Sequence, residues 1–66
     1  MFTKSDFADY CSQIIALEKK MEGKYRGLIP QLTNEDCRRI FEKLANEEVV
    51  HARTAAELRD IFTADD

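Results

Sequence analysis

RGLIPQLTN, residues 26–34, is the stretch that decides the fold. Gly23 and Gly27 are the only glycines and Pro30 the only proline among 66 residues, and the second glycine and the proline cluster here. Gly27 suits the end of a helix, and Pro30 disfavours helical geometry at Ile29 before it. Thr33 can then cap a second helix, with Thr33-Asn34-Glu35-Asp36 reading as a capping box that carries Asp in place of Glu. The expectation is one all-α domain spanning residues 1–66: helix one over about 5–27, a loop over about 28–33, and helix two over about 34–63, folded as an antiparallel hairpin.

Outward from that break, both flanks are periodic. Steps alternating four and three give Phe7, Cys11, Ile14, Glu18, Met21, Tyr25 and Leu28 in helix one. The same steps give Cys37, Phe41, Leu44, Glu48, His51, Ala55, Leu58 and Phe62 in helix two. These are seams of the kind that line helix bundles. Tyr10, Ile15, Leu17, Ile40, Ala45 and Ala52 widen them, while Lys19, Lys20, Arg38, Lys43, Arg53 and Arg59 take the opposite faces. Thr3 or Ser5 can cap helix one, Gly23 weakens its interior by roughly 1 kcal/mol relative to alanine, and the closing TADD is expected to fray. A lone hairpin leaves one side of each broad apolar face wet. Two hairpins packed together cover it, so the chain is expected to form a homodimer, or an assembly of dimers, with a four-helix core.

Composition narrows the partners. Thirteen acidic and ten basic residues give a net charge of −3, which disfavours nucleic acid and suits the collection of cations. No apolar run is long enough to span a bilayer, and MFTKSDFADY carries charges where a signal peptide needs apolar residues, so the expected compartment is the cytoplasm. Cys11 and Cys37 could close at most one bridge and read as small buried hydrophobes.

The polar residues on the seams carry the functional signal. In NEEVVHARTAAEL, residues 46–58, Glu48 and the chain's single histidine, His51, occupy positions where the pattern calls for apolar side chains. An unpaired buried carboxylate costs several kcal/mol or gives up its charge. The bland explanation is a Glu48–His51 hydrogen bond or a slight helix rotation that lets water in. Against it, Glu48 and His51 are one turn apart and can reach one atom, and Glu18 holds an equivalent point on the other seam. Dimerisation doubles the set to four carboxylates and two imidazoles, the ligand inventory of a di-iron bundle site. Carboxylate with imidazole suits Fe(II), with Mn or Zn as other candidates. The register of Glu18 and Glu48 relative to the loop differs by several residues, which leaves open whether the ligands meet within one hairpin or across chains.

With those residues placed, the chain resembles a half-ferritin of the encapsulated-ferritin and rubrerythrin-like kind, in which a two-helix chain supplies half of a ferritin-like bundle. The resemblance runs from about Ser5 to Phe62 and rests on Glu18, Tyr25 seven residues on, Glu48 and His51. It implies a di-iron centre at a subunit interface with Glu18, Glu48 and His51 as ligands, and Tyr25 near it as a hydrogen-bond donor. It implies a ferroxidase-type oxidoreductase that oxidises Fe(II) with dioxygen or peroxide, assembled from dimers. Such proteins dock into an encapsulating shell protein by a C-terminal tail; the sequence closes at TADD, so the resemblance extends to that partner only with a tail beyond it, and these residues hold no Cys-x-x-Cys pair of a rubredoxin domain. On its residues alone, Tyr25 reads as a core tyrosine with its hydroxyl at the rim. Glu22 and Glu47 read as solvated or rim carboxylates, Glu22 also as a position that could meet an incoming cation. The competing readings are a non-catalytic helical dimerisation module and a purely structural metal site.

Overall fold

A computed structural model describes residues 2–64, and within them the chain is a two-helix hairpin with no strand. Helix α1 spans Lys4–Leu28, a single 3-10 turn covers Ile29–Gln31, and α2 spans Glu35–Ala64. α1 starts where the sequence offers a cap. The Thr3 side chain accepts from the Asp6 backbone N–H at 3.0 Å, and the Asp6 carboxylate accepts from the Thr3 N–H at 3.0 Å, so two otherwise orphaned donors are satisfied reciprocally.

The break is built differently from the sequence expectation in three respects. Gly27 lies within α1, and no described residue adopts a positive φ, so the helix ends without a left-handed glycine. Ile29 before the proline keeps helical angles, φ −52 and ψ −47. Pro30 ends α1 by a different route, because its missing N–H leaves the α-helical ladder one donor short. It sits in the first turn of the 3-10 segment, where that donor is not needed. Gln31 donates its side-chain amide to the Gly27 carbonyl at 3.2 Å, satisfying one of the carbonyls exposed at the helix end. Finally, α2 is capped by Asn34 and not by Thr33. The Asn34 Oδ1 accepts from the Cys37 N–H at 3.0 Å, and its own carbonyl accepts from the Arg38 N–H. α2 continues through Ala64, into the segment expected to fray; Asp65 and Asp66 lie outside the described residues.

The helices meet along a line that differs from the expected seam on α2. Buried or half-buried on that helix are Phe41, Ala45, Glu48, Ala52, Ala55 and Arg59, against Cys11, Ile15, Glu18, Glu22 and Tyr25 on α1. Ala45 and Ala55 are buried with Cys11, which is 1% exposed. Small side chains here let the two backbones approach closely, and the aromatic pairs Phe7–Phe62 and Tyr25–Phe41, at 4.3 and 5.9 Å between centroids, close the two ends. Turning α2 toward its alanines turns His51, Leu58 and Cys37 outward, so Cys37 is exposed where the pattern had placed it inside. Both thiols are free.

The two sides of the hairpin are chemically opposed. One is polar and tied across by Arg26 to Asn46 at 3.1 Å and by Arg59 to Ser12 at 3.5 Å. The other is apolar. Tyr10, Leu17 and Leu28 on α1 and Ile40, Leu58 and Phe62 on α2 are each more than 40% exposed, with half-buried Ile14, Met21 and Leu44 among them. At about 100° per residue, each set lies roughly a quarter turn from its contact line in the same sense. Because the helices run in opposite directions, equal turns of the same sense bring both sets to one side of the hairpin.

Candidate metal centre

Glu18 is placed at mid-length of α1 and Glu48 and His51 at mid-length of α2, and the antiparallel register sets them side by side. Each offers one ligand atom, and the three atoms lie within 4.8 Å of one another. A single chain brings all three side chains together. The 3-10 turn and the extended Leu32, φ −90 and ψ 130, take up the difference in register between the two helices.

The triad sits at the border between the helix contact and the apolar flank. Glu18 and Glu48 are half-buried, the Glu18 side chain 20% exposed, while the His51 side chain is 56% exposed. The expectation that His51 faces the interior of the hairpin is therefore corrected: its ring faces outward on the same side as Leu17 and Leu58. Its nearest partner also differs from the bland explanation. His51 Nδ1 approaches Glu18 Oε2 across the hairpin at 3.4 Å, whereas the expected hydrogen bond was to Glu48 on its own helix. Geometry explains the choice. His51 and Glu48 share a face one turn apart, but the ring swings toward the neighbouring helix, where Glu18 stands at its level.

The donor set fits a divalent transition ion. Two oxygens and an imidazole nitrogen at about 2.0–2.2 Å from one ion stand at most about 4.4 Å apart. The observed spread is within a small side-chain adjustment of that limit. Two carboxylates would offset the charge of one divalent ion, and a set of only three protein donors would leave room for water or substrate.

The remaining candidates separate cleanly. Tyr25 lies two turns beyond Glu18 and packs edge-on against Phe41; no hydrogen bond joins its hydroxyl to the triad. Glu22 is engaged by Arg26, whose Nε donates to Glu22 Oε2 at 2.7 Å, so its carboxylate is held on the polar side of the hairpin, one turn from Glu18. Glu47 is half-buried on the stretch that carries Glu48 and His51, in keeping with a place at the rim. An open depression lined by Arg39, Lys43, Glu47 and His51 runs along α2 alone and touches the triad only at His51. Ala45 and Ala52, placed at the edge of the expected seam, lie with Ala55 on the contact line; alanine contributes little to a hydrophobic stripe yet decides how closely two helices pack. No protein-family profile matches the chain, and neither a curated protein nor a solved structure matches it.

Proposed function

We propose that two copies of this hairpin pair through the apolar flank into a four-helix bundle, and that the pair holds iron between Glu18, Glu48 and His51 of each copy as a ferroxidase-type centre. The observation that carries the reading is the convergence of two carboxylates and the only imidazole within 4.8 Å, at the edge of an exposed apolar face. Pairing through that face buries His51, surrounds the polar cluster with apolar side chains and brings the two triads opposite each other. Four carboxylates and two imidazoles then match two divalent ions, whose charge offsets the cost of burying the carboxylates.

In this reading Fe(II) is the substrate and gives up an electron to dioxygen or peroxide. The chain's own residues do three things. Glu18 and Glu48 bind the cation by charge and hold it between the helices. His51 adds a neutral nitrogen donor, which requires its imidazole to be deprotonated and its contact with Glu18 to open toward the ion. Leu17, with Tyr10 and Leu58 of the flank, excludes bulk water once the copies are paired. Tyr25 is proposed as a hydrogen-bond donor near the centre, reached by a side-chain movement off Phe41.

The test is metal loading. Purified protein given Fe(II) in air is expected to bind about one iron per chain and develop ferric absorbance. Glu48→Ala and His51→Ala are each expected to lose both signals while keeping their helix content. Wild type and both variants behaving alike would show the reading to be wrong.

A second reading is favoured by the Glu18–His51 approach itself, which sets the two groups against each other without an ion. In it the hairpin is a pairing module with no metal. Elemental analysis of the protein as purified separates the two: stoichiometric transition metal supports the centre, and its absence after exposure to Fe(II), Mn(II) and Zn(II) supports the module.

A further inference from the structure

Glu22 is a carboxylate on the contact line of α1 that the triad does not include. It stands one turn after Glu18, rotated from it by only about 40° around the helix, where side chains four apart have Cβ atoms about 5–6 Å from each other. Burial does not separate the two, since the Glu22 side chain is 28% exposed and that of Glu18 is 20% exposed. Nor does the lean of the side chain. Helical side chains tilt toward the N-terminus of their helix, which from position 22 is the direction of Glu18.

What withholds Glu22 is Arg26. Its Nε donates to Glu22 Oε2 at 2.7 Å, and its Nη2 donates to Asn46 Oδ1 on α2 at 3.1 Å. An exposed ion pair one turn apart is by itself a loose restraint. Asn46 makes it a fixed one, because the planar guanidinium is then held at two donors by two different helices. The clamp lies on the polar side of the hairpin, away from the apolar flank. With it engaged, the group of converging donors is Glu18, Glu48 and His51. Two carboxylates match the charge of a divalent ion, and a third would match a trivalent one. The number of charged ligands tunes which cation a site holds, so a residue that withholds one carboxylate sets the preference.

We propose that Arg26 determines the charge specificity of the centre: by holding Glu22 out of the donor set it favours divalent over trivalent cations. This rests on the metal centre of the proposed function and adds the origin of its selectivity. In that reading the clamp favours uptake of Fe(II) and departure of the ferric ion, which meets a donor set one charge short.

The experiment compares Tb(III) and Zn(II), two cations without redox chemistry under these conditions, on the full chain. Tb(III) emission is excited through the chain's two tyrosines, and Zn(II) serves as the competitor. Wild type is expected to prefer Zn(II). In Arg26→Met, Glu22 joins the set and acts on three ion charges instead of two, so the ratio of Tb(III) to Zn(II) affinity is expected to rise about ten-fold. The emission lifetimes in H2O and D2O should report about one or two fewer waters on the bound Tb(III), as one more carboxylate takes their place. Asn46→Leu, which leaves both charges of the clamp present, is expected to shift both readouts the same way by less. The double variant Arg26→Met/Glu22→Gln should return both to wild-type values. A rise in affinity with an unchanged water count would mean that the field of Arg26 acts alone, and would overturn the role of Glu22. An unchanged affinity ratio, or a shift that persists in the double variant, would also overturn the proposal while leaving the centre standing. Wild type that binds neither ion would overturn the centre and the proposal together.

Discussion

At the scale of the residue, the start of α2 turns on a one-position choice between neighbours. Thr33 and Asn34 are both good caps, and asparagine at a cap is at least as favourable as threonine. The structure selects Asn34, whose Oδ1 satisfies the Cys37 N–H. Asn34→Ala is expected to destabilise the chain by about 1 kcal/mol and Thr33→Ala by a few tenths. Thermal unfolding followed by circular dichroism reads the difference as a fall of about 4–8 °C for Asn34→Ala alone. Equal losses from both substitutions would return the cap to Thr33. The functional residues behave in a related way. Their spacing announced that Glu48 and His51 could share an atom, but the histidine's closest approach is to Glu18 on the other helix, a choice made by the ring's rotamer and the helix rotation.

At the scale of the element, α1 carries a weakness with an evident remedy. Gly23 lies inside the helix with no positive φ, and a methyl group added there meets no atom within 4 Å. Gly23→Ala is expected to raise stability by about 1 kcal/mol, seen as a higher midpoint in urea with an unchanged slope. A neutral or destabilising result would contradict this assignment of the glycine as a local weakness. On α2 the alanine line argues the opposite sign. Ala45 is fully buried at the helix contact, so Ala45→Leu is expected to push the helices apart at a cost of about 1–3 kcal/mol. The same displacement moves Glu48, one turn away, from Glu18, so metal loading should fall along with stability.

At the scale of the whole molecule, the shape is the main fact. The hairpin measures 51 × 15 × 14 Å with a radius of gyration of 15.3 Å, against about 11 Å for a compact domain of this length. A rod two helices wide has little interior, and its buried hydrophobic residues among those described are Cys11, Ala45 and Ala55. No helix of the described residues is long and apolar enough to cross a membrane. On the proposed pairing, the stability of the rod is bound to association. Sedimentation should give twice the 7.7 kDa chain mass, and the unfolding midpoint should rise with protein concentration. A midpoint constant over a wide dilution series, in a species of single-chain mass, would contradict the pairing.

The features legible in the chain before folding are local ones. The lone proline, Pro30, marks one break and hence two helices, because no other proline in the sequence interrupts the α-helical ladder. Thr3 with Asp6 marks the start of α1, and a three-residue step places Glu48 and His51 on one face, because these are properties of a single helix. The rotation of α2 about its axis is not local. The expected seam and the observed contact line share Phe41, Glu48 and Ala55, and differ by only a fraction of a turn: the first adds Leu44, His51 and Leu58, the second Ala45, Ala52 and Arg59. Choosing between them requires the opposing surface of α1. Packing made that choice in favour of the alanines, where the backbones can come closest, and so set His51 and the larger apolar residues on an open flank. The meeting of Glu18 with the other two was settled at the same level, since it depends on how the 3-10 turn sets one helix against the other.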